Sequence, residues 1–280
     1  MTAITMPSFS LSGRVILVTG ASRGIGRACA LACAGAGADI IVGLRNMSDG
    51  ESLVTEIEAL GRSALAVNMD LADLNQVRAA IAKAHAHFSR IDVLINNVGI
   101  GPENLAENVR EQDFDLTVNI NLKGTFFTTQ AVAKFMIEQK SGRIINISSQ
   151  AGSVVLKGEA IYCMSKAAIN HLTRCLAFEW APHGITVNSV SPTFIFTDGT
   201  KPALADPQFH QHVLSHIPLA VSGNLWMWQG RSFSLRLQPP LLSRARTSWL
   251  MAVGQLPKSH CASGQRNSLK RLCAIFSTRF

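Results

Sequence analysis

Residues 15–26 read VILVTGASRGIG and join a continuous apolar run to a turn that holds three glycines. We predict a buried β-strand over residues 14–19, because unbroken aliphatic runs are typical of strands covered on both faces. Glycines 20, 24 and 26 would let the chain turn tightly and bring the N–H groups of a following helix against a phosphate. A glycine cluster can also be only a tight strand-to-helix connection, so further motifs have to decide.

Further apolar runs occupy residues 39–43, 63–67, 91–95, 143–147 and 186–190. Helix-length segments separate these runs. Residues 26–36 are rich in small side chains, and residues 162–178 carry a helical apolar pattern. This alternation predicts a single α/β domain with a doubly wound parallel sheet.

The formal charge of +8 is unevenly distributed along the chain. Residues 1–219 hold 17 basic and all 18 acidic side chains, whereas residues 220–280 hold 9 basic ones and no acid. This tail has neither a basic amphipathic stripe nor a recognisable module, so we expect no nucleic-acid or membrane partner. The first twelve residues lack a secretory pattern, and the six cysteines show no metal-site or disulfide spacing. We expect a cytoplasmic protein without a metal site.

Tyr162 is the only tyrosine of the chain and precedes Lys166 by four residues. That spacing places both side chains on one face of the predicted helix. A phenol with an ordinary pKa of about 10 keeps its proton at neutral pH unless a positive charge favours the phenolate. Lys166 can supply that charge, so the pair suggests carbonyl chemistry. A capping tyrosine and a solvated lysine would give the same spacing.

Further motifs follow the glycine turn at fixed intervals: Asn96-Asn97-Val98-Gly99, Asn121, Ser149, Tyr162 with Lys166, and residues 187–192, VNSVSP. Together with the glycine turn, they resemble the classical short-chain dehydrogenase/reductase family over about residues 8–219. The resemblance implies a Rossmann-type fold and hydride transfer between a nicotinamide cofactor and a secondary alcohol or ketone. It also implies that Ser149 binds the substrate oxygen and Tyr162 exchanges the proton. Lys166 would hold the nicotinamide ribose and lower the tyrosine pKa, and Asn121 would anchor a water in the proton relay.

The same resemblance implies a cofactor cleft along the glycine turn and the strand ends. Its expected residues are Gly20, Ser22, Arg23, Gly24, Ile25, Gly26, Arg45, Asp70, Asn96, Gly99, Tyr162, Lys166, Pro192, Ile195 and Thr197. Asp70 would contact adenine, and it could equally cap the helix that follows, since Asp suits both roles.

The end of the second strand, residues 43–46 with sequence GLRN, carries no acid. Recognition of an unmodified adenosine ribose usually employs an acid there, whereas a 2′-phosphate needs a nearby cation. Arg45 and Arg23 offer two guanidinium groups for that phosphate. NADP(H) is therefore the preferred cofactor, and NAD(H) is the alternative.

Two positions depart from the family pattern: Val98 stands where alanine is usual, and Thr193 where glycine is usual. Thr193 is the larger concern, because a β-branched residue resists backbone angles that glycine adopts freely.

The tail from Ala220 onward lacks the family's final helix, last strand and closing Asp-Gly-Gly. When the tail is translated back into its possible codons and these are read in the frame that starts at each third base, short motifs of the family become possible in the expected order. Residues 226–229, WMWQ, then force Asp, Val and Ala in succession. Degenerate codons also allow words by chance, but the forced residues favour a frame change after Leu219. We interpret residues 1–219 as the NADP-binding domain and residues 220–280 as a frameshifted, poorly ordered tail, with the final strand missing.

The predicted function is oxidoreduction through a Ser-Tyr-Lys mechanism on a small carbonyl or alcohol substrate. A catalytically impaired or nucleotide-binding-only product of the altered tail is the alternative. A sugar-nucleotide epimerase or dehydratase shares the Tyr-x3-Lys spacing, but the glycine spacing disfavours it. Sugar-acid, 3-oxoacyl and steroid-like substrates all stay open. We expect a homodimer or homotetramer for the frame-restored protein.

Overall fold

The computed structural model describes residues 10–217, 222–224 and 247–250. Within these residues, one parallel sheet of seven strands has the order β3-β2-β1-β4-β5-β6-β7. The strands are β1 (Val15–Thr19), β2 (Asp39–Leu44), β3 (Ala64–Asn68), β4 (Val93–Asn96), β5 (Gly142–Ile147), β6 (Ile185–Pro192) and β7 (Thr247–Leu250). The helices are α1 (Gly24–Gly35), α2 (Glu51–Ala59), α3 (Leu74–Phe88), α4 (Glu111–Val118), α5 (Thr125–Glu138), α6 (Ala160–Trp180), α7 (Lys201–Leu204) and α8 (Pro207–Ser215).

The core lies on both faces of this sheet because successive strand residues point to opposite sides. Ile16 and Val18 of β1 pack in one cluster with α1 and α2, whereas Leu17 packs in a second cluster with α3, α5 and α6. All five residues of β1 are buried. The small residues of α1, including Cys29 and Cys33, are buried against the first face.

The six strands predicted from the apolar runs are confirmed, with ends that differ by one or two residues. The sheet is Rossmann-like, with β1 hydrogen-bonded to β2 on one side and to β4 on the other. From β1 to β3 each new strand is added on one side of β1, and from β4 onward on the other side. At this switch point a crevice opens outside the carboxyl ends of β1 and β4.

The edge of the sheet differs from the sequence prediction. Instead of a missing final strand, residues Thr247–Leu250 of the tail pair in parallel with Ser189–Pro192 of β6. An uncovered strand edge offers unpaired backbone donors and acceptors, and pairing with them requires only a short extended segment. The predicted poor order of the tail concerns residues that lie mostly outside the described ranges.

The start of α3 bears on the site. The cap of α3 is Asp73, whose carboxylate accepts from the N–H groups of Asn75 and Gln76. Asp70 instead accepts from the Ala72 N–H at 3.0 Å and so closes the turn before that helix. The expected helix-capping role of Asp70 therefore belongs to Asp73.

In the part of the chain that the structure describes, no helix combines the length and the apolar character needed to cross a membrane.

Candidate active site

The glycine turn connects β1 to α1, and no side chain caps the first N–H groups of that helix. Gly20 and Gly24 have φ angles of +62° and +56°, in the region that favours glycine. A Cβ on Gly26 would collide with the Gly20 carbonyl oxygen. The turn therefore requires glycine and leaves helix N–H groups available for an anion, which fits the pyrophosphate of a dinucleotide.

Asn97 fastens this turn to the end of β4. Its side-chain amide donates to the carbonyl oxygens of Thr19 and Gly20, at 3.1 Å each. Its backbone N–H donates to Thr19 Oγ1 at 2.9 Å. The structure thus places Asn97 at the cleft.

Asn96, which the sequence prediction assigned to the cofactor cleft, is buried in the core instead. Its amide donates to Thr129 Oγ1 at 2.8 Å and to Asn146 Oδ1 at 2.9 Å. Neighbouring residues of a strand point to opposite faces, so a one-residue difference decides which asparagine meets the cleft.

A cleft of about 690 Å³ extends from the glycine turn across the ends of the central strands. Nine predicted residues line it: Gly20, Ser22, Arg23, Gly24, Ile25, Arg45, Asp70, Gly99 and Thr197. Residues outside the predicted set also line it: Leu44, Asp49, Met69, Leu71, Asn97, Val98, Ile100, Ile120, Asp198 and Gly199. Pro192 ends β6, and Ile195 is buried in the core behind the cleft.

Asp49 changes the charge expected at the adenosine end of this cleft. It lies in the turn after β2 and accepts a hydrogen bond from the Asn46 amide at 3.3 Å. The sequence prediction considered only residues 43–46 and so missed this acid. The cleft wall that holds Arg23 and Arg45 therefore also holds the carboxylate of Asp49.

Lys166 lies one helical turn after Tyr162 on α6, as the spacing predicts. It is 4% exposed, and its ammonium donates to the Ile147 carbonyl oxygen at 3.0 Å. Gly99 makes room for it, because a Cβ there would lie 2.9 Å from Lys166 Nζ. Burial lowers the pKa of Lys166 to about 8.

Ser149 lies close enough to Tyr162 to affect its phenol, and its hydroxyl accepts a hydrogen bond from the Ala151 N–H at 3.1 Å. Burial raises the pKa of Tyr162, and the neighbouring Ser149 hydroxyl only partly opposes this increase. The predicted lowering of the Tyr162 pKa by Lys166 is therefore not found in this structure, where the ammonium lies 5.5 Å from the phenol ring centroid. The phenol of the free protein holds its proton at neutral pH.

Asn121 lies in a π-helical turn, Asn119–Gly124, and is 1% exposed. Its Oδ1 accepts from the Ile100 N–H at 2.9 Å, and its Nδ2 donates to the Ile100 carbonyl oxygen at 2.8 Å. The side chain therefore ties the loop after β4 to the helix that precedes α5. π-turns often occur at functional sites.

The loop after β4 packs against the Tyr162 ring. A Cβ on Gly101 would lie 2.9 Å from Tyr162 Cδ2, and the Asn104 N–H donates to the Gly158 carbonyl oxygen at 2.8 Å. Glu159, just before α6, is half-buried, and its pKa is raised by burial and by the nearby Glu103. Its charge also raises the Tyr162 pKa. No sequence motif marked these acids.

The segment after β6 reaches back to the glycine turn. A Cβ on Gly24 would lie 3.6 Å from the Thr197 side chain. The non-glycine residues with positive φ in the described ranges are Ser89 and Lys140. Thr193 therefore adopts no left-handed backbone angle, which answers the concern about its replacement of glycine.

This fold and site agree with the comparisons to known proteins. The family model described as short chain dehydrogenase matches residues 14–208. The chain belongs to the short-chain dehydrogenase/reductase family, whose members are NAD(P)-dependent oxidoreductases.

Among curated relatives, the chain is 43% identical over 215 residues to a 3-oxoacyl-(acyl-carrier-protein) reductase of Synechocystis sp., covering 76% of this chain and 85% of the relative. It is 42% identical over 208 residues to the enzyme of that name from Staphylococcus aureus, covering 74% and 84%. Among solved structures, a gluconate 5-dehydrogenase from Burkholderia cenocepacia, in complex with NADP and tartrate, has a TM-score of 0.81 and 31% identity. That match covers 86% of this chain and 95% of the other.

Proposed function

We propose that the chain transfers a hydride between NADP(H) and a secondary alcohol or its ketone, with Ser149, Tyr162 and Lys166 as its catalytic residues. The observation that carries this proposal is the grouping of Ser149 beside Tyr162, with the buried Lys166 ammonium 5.5 Å from the centroid of the Tyr162 ring. The glycine turn, with its uncapped helix N-terminus, opens onto a cleft whose wall includes Gly99, the residue that packs against Lys166.

The preference for NADP(H) rests on Arg23 and Arg45 in the cleft wall. Guanidinium groups bind phosphate bidentately, so both suit a 2′-phosphate. The NADP complex of the gluconate 5-dehydrogenase supports this choice. Asp49 favours the alternative, NAD(H), since an acid can accept from the ribose hydroxyls. Once bound, the cofactor supplies the hydride.

Tyr162 supplies the proton in the reducing direction. Because burial raises its pKa, the phenol keeps its proton until a carbonyl oxygen develops negative charge beside it. Ser149 donates a hydrogen bond to the same oxygen and orients it. Lys166 holds the nicotinamide ribose and, when charged, favours the phenolate that remains. Asn121 anchors the water that returns the proton to Tyr162.

The comparisons favour a 3-oxoacyl compound as the substrate class, because both curated relatives are named 3-oxoacyl-(acyl-carrier-protein) reductase. Sugar acids remain the second class, because a gluconate dehydrogenase shares the fold. We further propose a cytoplasmic homo-oligomer for the frame-restored chain. The altered tail favours a second possibility, that the 280-residue chain binds nucleotide without turnover.

Oxidation of NADPH with a panel of ketones tests the proposal. The panel contains ethyl acetoacetate, 5-keto-gluconate and a 7-oxosteroid, each offered to the 280-residue chain and to the frame-restored chain. We expect the restored chain to oxidise NADPH with at least one of them. Binding of NADPH by both chains, with turnover by neither, would favour the nucleotide-binding product.

A further inference from the structure

Ser165 joins two parts of the site that the mechanism leaves unconnected. It precedes Lys166 on α6 and is completely buried. Its hydroxyl donates to the Tyr162 carbonyl oxygen at 2.8 Å and accepts from Asn121 Nδ2 at 3.0 Å. One side chain therefore bridges the catalytic helix and the π-turn.

The hydrogen-bonding capacity of these groups fixes the orientation of the Asn121 amide. A serine hydroxyl has one proton, and in Ser165 that proton goes to the Tyr162 carbonyl oxygen. The remaining lone pairs can only accept, so they require the NH₂ group of Asn121. Its Oδ1 then faces the Ile100 N–H at 2.9 Å. If the amide were reversed, Asn121 Oδ1 would face the Ser165 hydroxyl oxygen and the Ile100 carbonyl oxygen, with no proton available for either contact.

We propose that Ser165 is a positioning residue for the proposed reaction: it holds Asn121 and the Ile100 loop in register with the Tyr162 turn. The expected effect of Ser165 on kcat rests on the proposed function, whereas its structural role does not. Gly99 connects the bridge to the reacting groups, since a Cβ there would lie 2.9 Å from Lys166 Nζ and 3.8 Å from Asn121 Oδ1.

The same helix provides a matched control. Thr173 Oγ1 donates to the Ile169 carbonyl oxygen at 2.8 Å and accepts from Asn146 Nδ2 at 2.9 Å. Thr173 is also buried. It thus repeats the Ser165 bonds two helical turns beyond Lys166, away from the catalytic groups. Thr173→Val removes one such bridge with little change of shape.

The experiment compares Ser165→Ala, Ser165→Cys and Thr173→Val in the frame-restored chain and in the 280-residue chain, with NADPH and ethyl acetoacetate. Ser165→Ala should lower kcat about tenfold while KM stays within about twofold, as expected for a lost buried hydrogen bond in the transition state. Ser165→Cys should be intermediate. Thr173→Val should keep the wild-type kcat, even where urea unfolding shows a similar loss of stability.

Hydrogen exchange of the Ile100 amide gives a readout that needs no turnover. Ser165→Ala should speed this exchange about tenfold, whereas Thr173→Val should leave it unchanged. Wild-type kcat in an active Ser165→Ala variant would overturn the inference, as would unchanged Ile100 exchange. If Ser165→Ala does not fold, Ser165→Cys decides by the same measures. A chain without turnover on any ketone refutes the proposed function, and the exchange result still decides the role of Ser165.

Discussion

Lys166 is a buried charge whose removal should stabilise the fold while it abolishes turnover. Its pKa falls from 10.5 to about 8 because burial disfavours the ammonium. At about 1.4 kcal/mol per pKa unit, keeping the ammonium buried costs roughly 3 kcal/mol at neutral pH. Lys166→Met leaves the Ile147 carbonyl oxygen without this donor, which costs about 1 kcal/mol. Lys166→Met should therefore raise the free energy of unfolding by about 2 kcal/mol at pH 7.

The gain should depend on pH in a defined direction. Between pH 8 and 10.5 the unfolded chain binds the lysine proton and the folded chain does not. Stability of the wild type therefore rises with pH in this window. Lys166→Met has no such proton, so its advantage should shrink by about 2 to 3 kcal/mol between pH 7 and pH 10.

Urea unfolding of the wild type and of Lys166→Met at three pH values measures this difference in stability. Both chains carry the same tail, so the tail does not contribute to the difference. Lys83→Met, on the exposed side of α3, is the control and should change stability by less than about 0.5 kcal/mol. A destabilised Lys166→Met variant at pH 7, or a difference that does not change with pH, would refute the assigned burial cost. Turnover should be lost in the same variant, since stability and function conflict at this position.

Three further outcomes are expected. Arg45→Ala combined with Leu44→Asp should shift the ratio of Kd values for NADPH and NADH at least tenfold toward NADH, and a native preference for NADH would contradict the assignment of the arginines. Gly26→Ala should abolish detectable NADPH binding in fluorescence titration, because its Cβ collides with the Gly20 carbonyl oxygen; wild-type affinity would contradict this. Reinsertion of one base after the Leu219 codon should give a chain of roughly 257 residues whose melting temperature is at least about 4 °C higher. Equal melting temperatures would contradict the structural cost of the tail, and an intact natural mass matching all 280 residues would show that the tail is made.

The sequence predicted six strands and the glycine turn well because each depends on local chemistry. Buried parallel strands need continuous apolar runs, and tight turns need glycine. The spacing of Tyr162 and Lys166 is likewise a property of one helix. Ser149 could be placed because it lies two residues after the end of β5.

The features that sequence reasoning missed depend on contacts between distant segments. Asp49 reaches the cleft only because the turn after β2 folds back toward it. Ser165 has a role only through Asn121, which lies on another helix. The raised pKa of Tyr162 likewise results from burial, which no sequence motif indicates.

The tail strand illustrates a different limit. Thr247–Leu250 pairs with β6 through backbone groups, and such pairing needs no particular sequence motif. The third-base reading of residues 250–253, LMAV, permits Asp-Gly-Gly at the end of this same segment. The restored frame would therefore end its last strand over the codons that form β7 here.

The turnover of Tyr162→Phe, measured beside its NADPH affinity in the frame-restored chain, tests the central claim most directly. The substitution removes one hydroxyl and leaves the ring that packs against Gly101. Losing a positioned acid should reduce kcat at least about a hundredfold, while the Kd for NADPH stays within about threefold. A Tyr162→Phe variant with near-normal turnover would contradict the account.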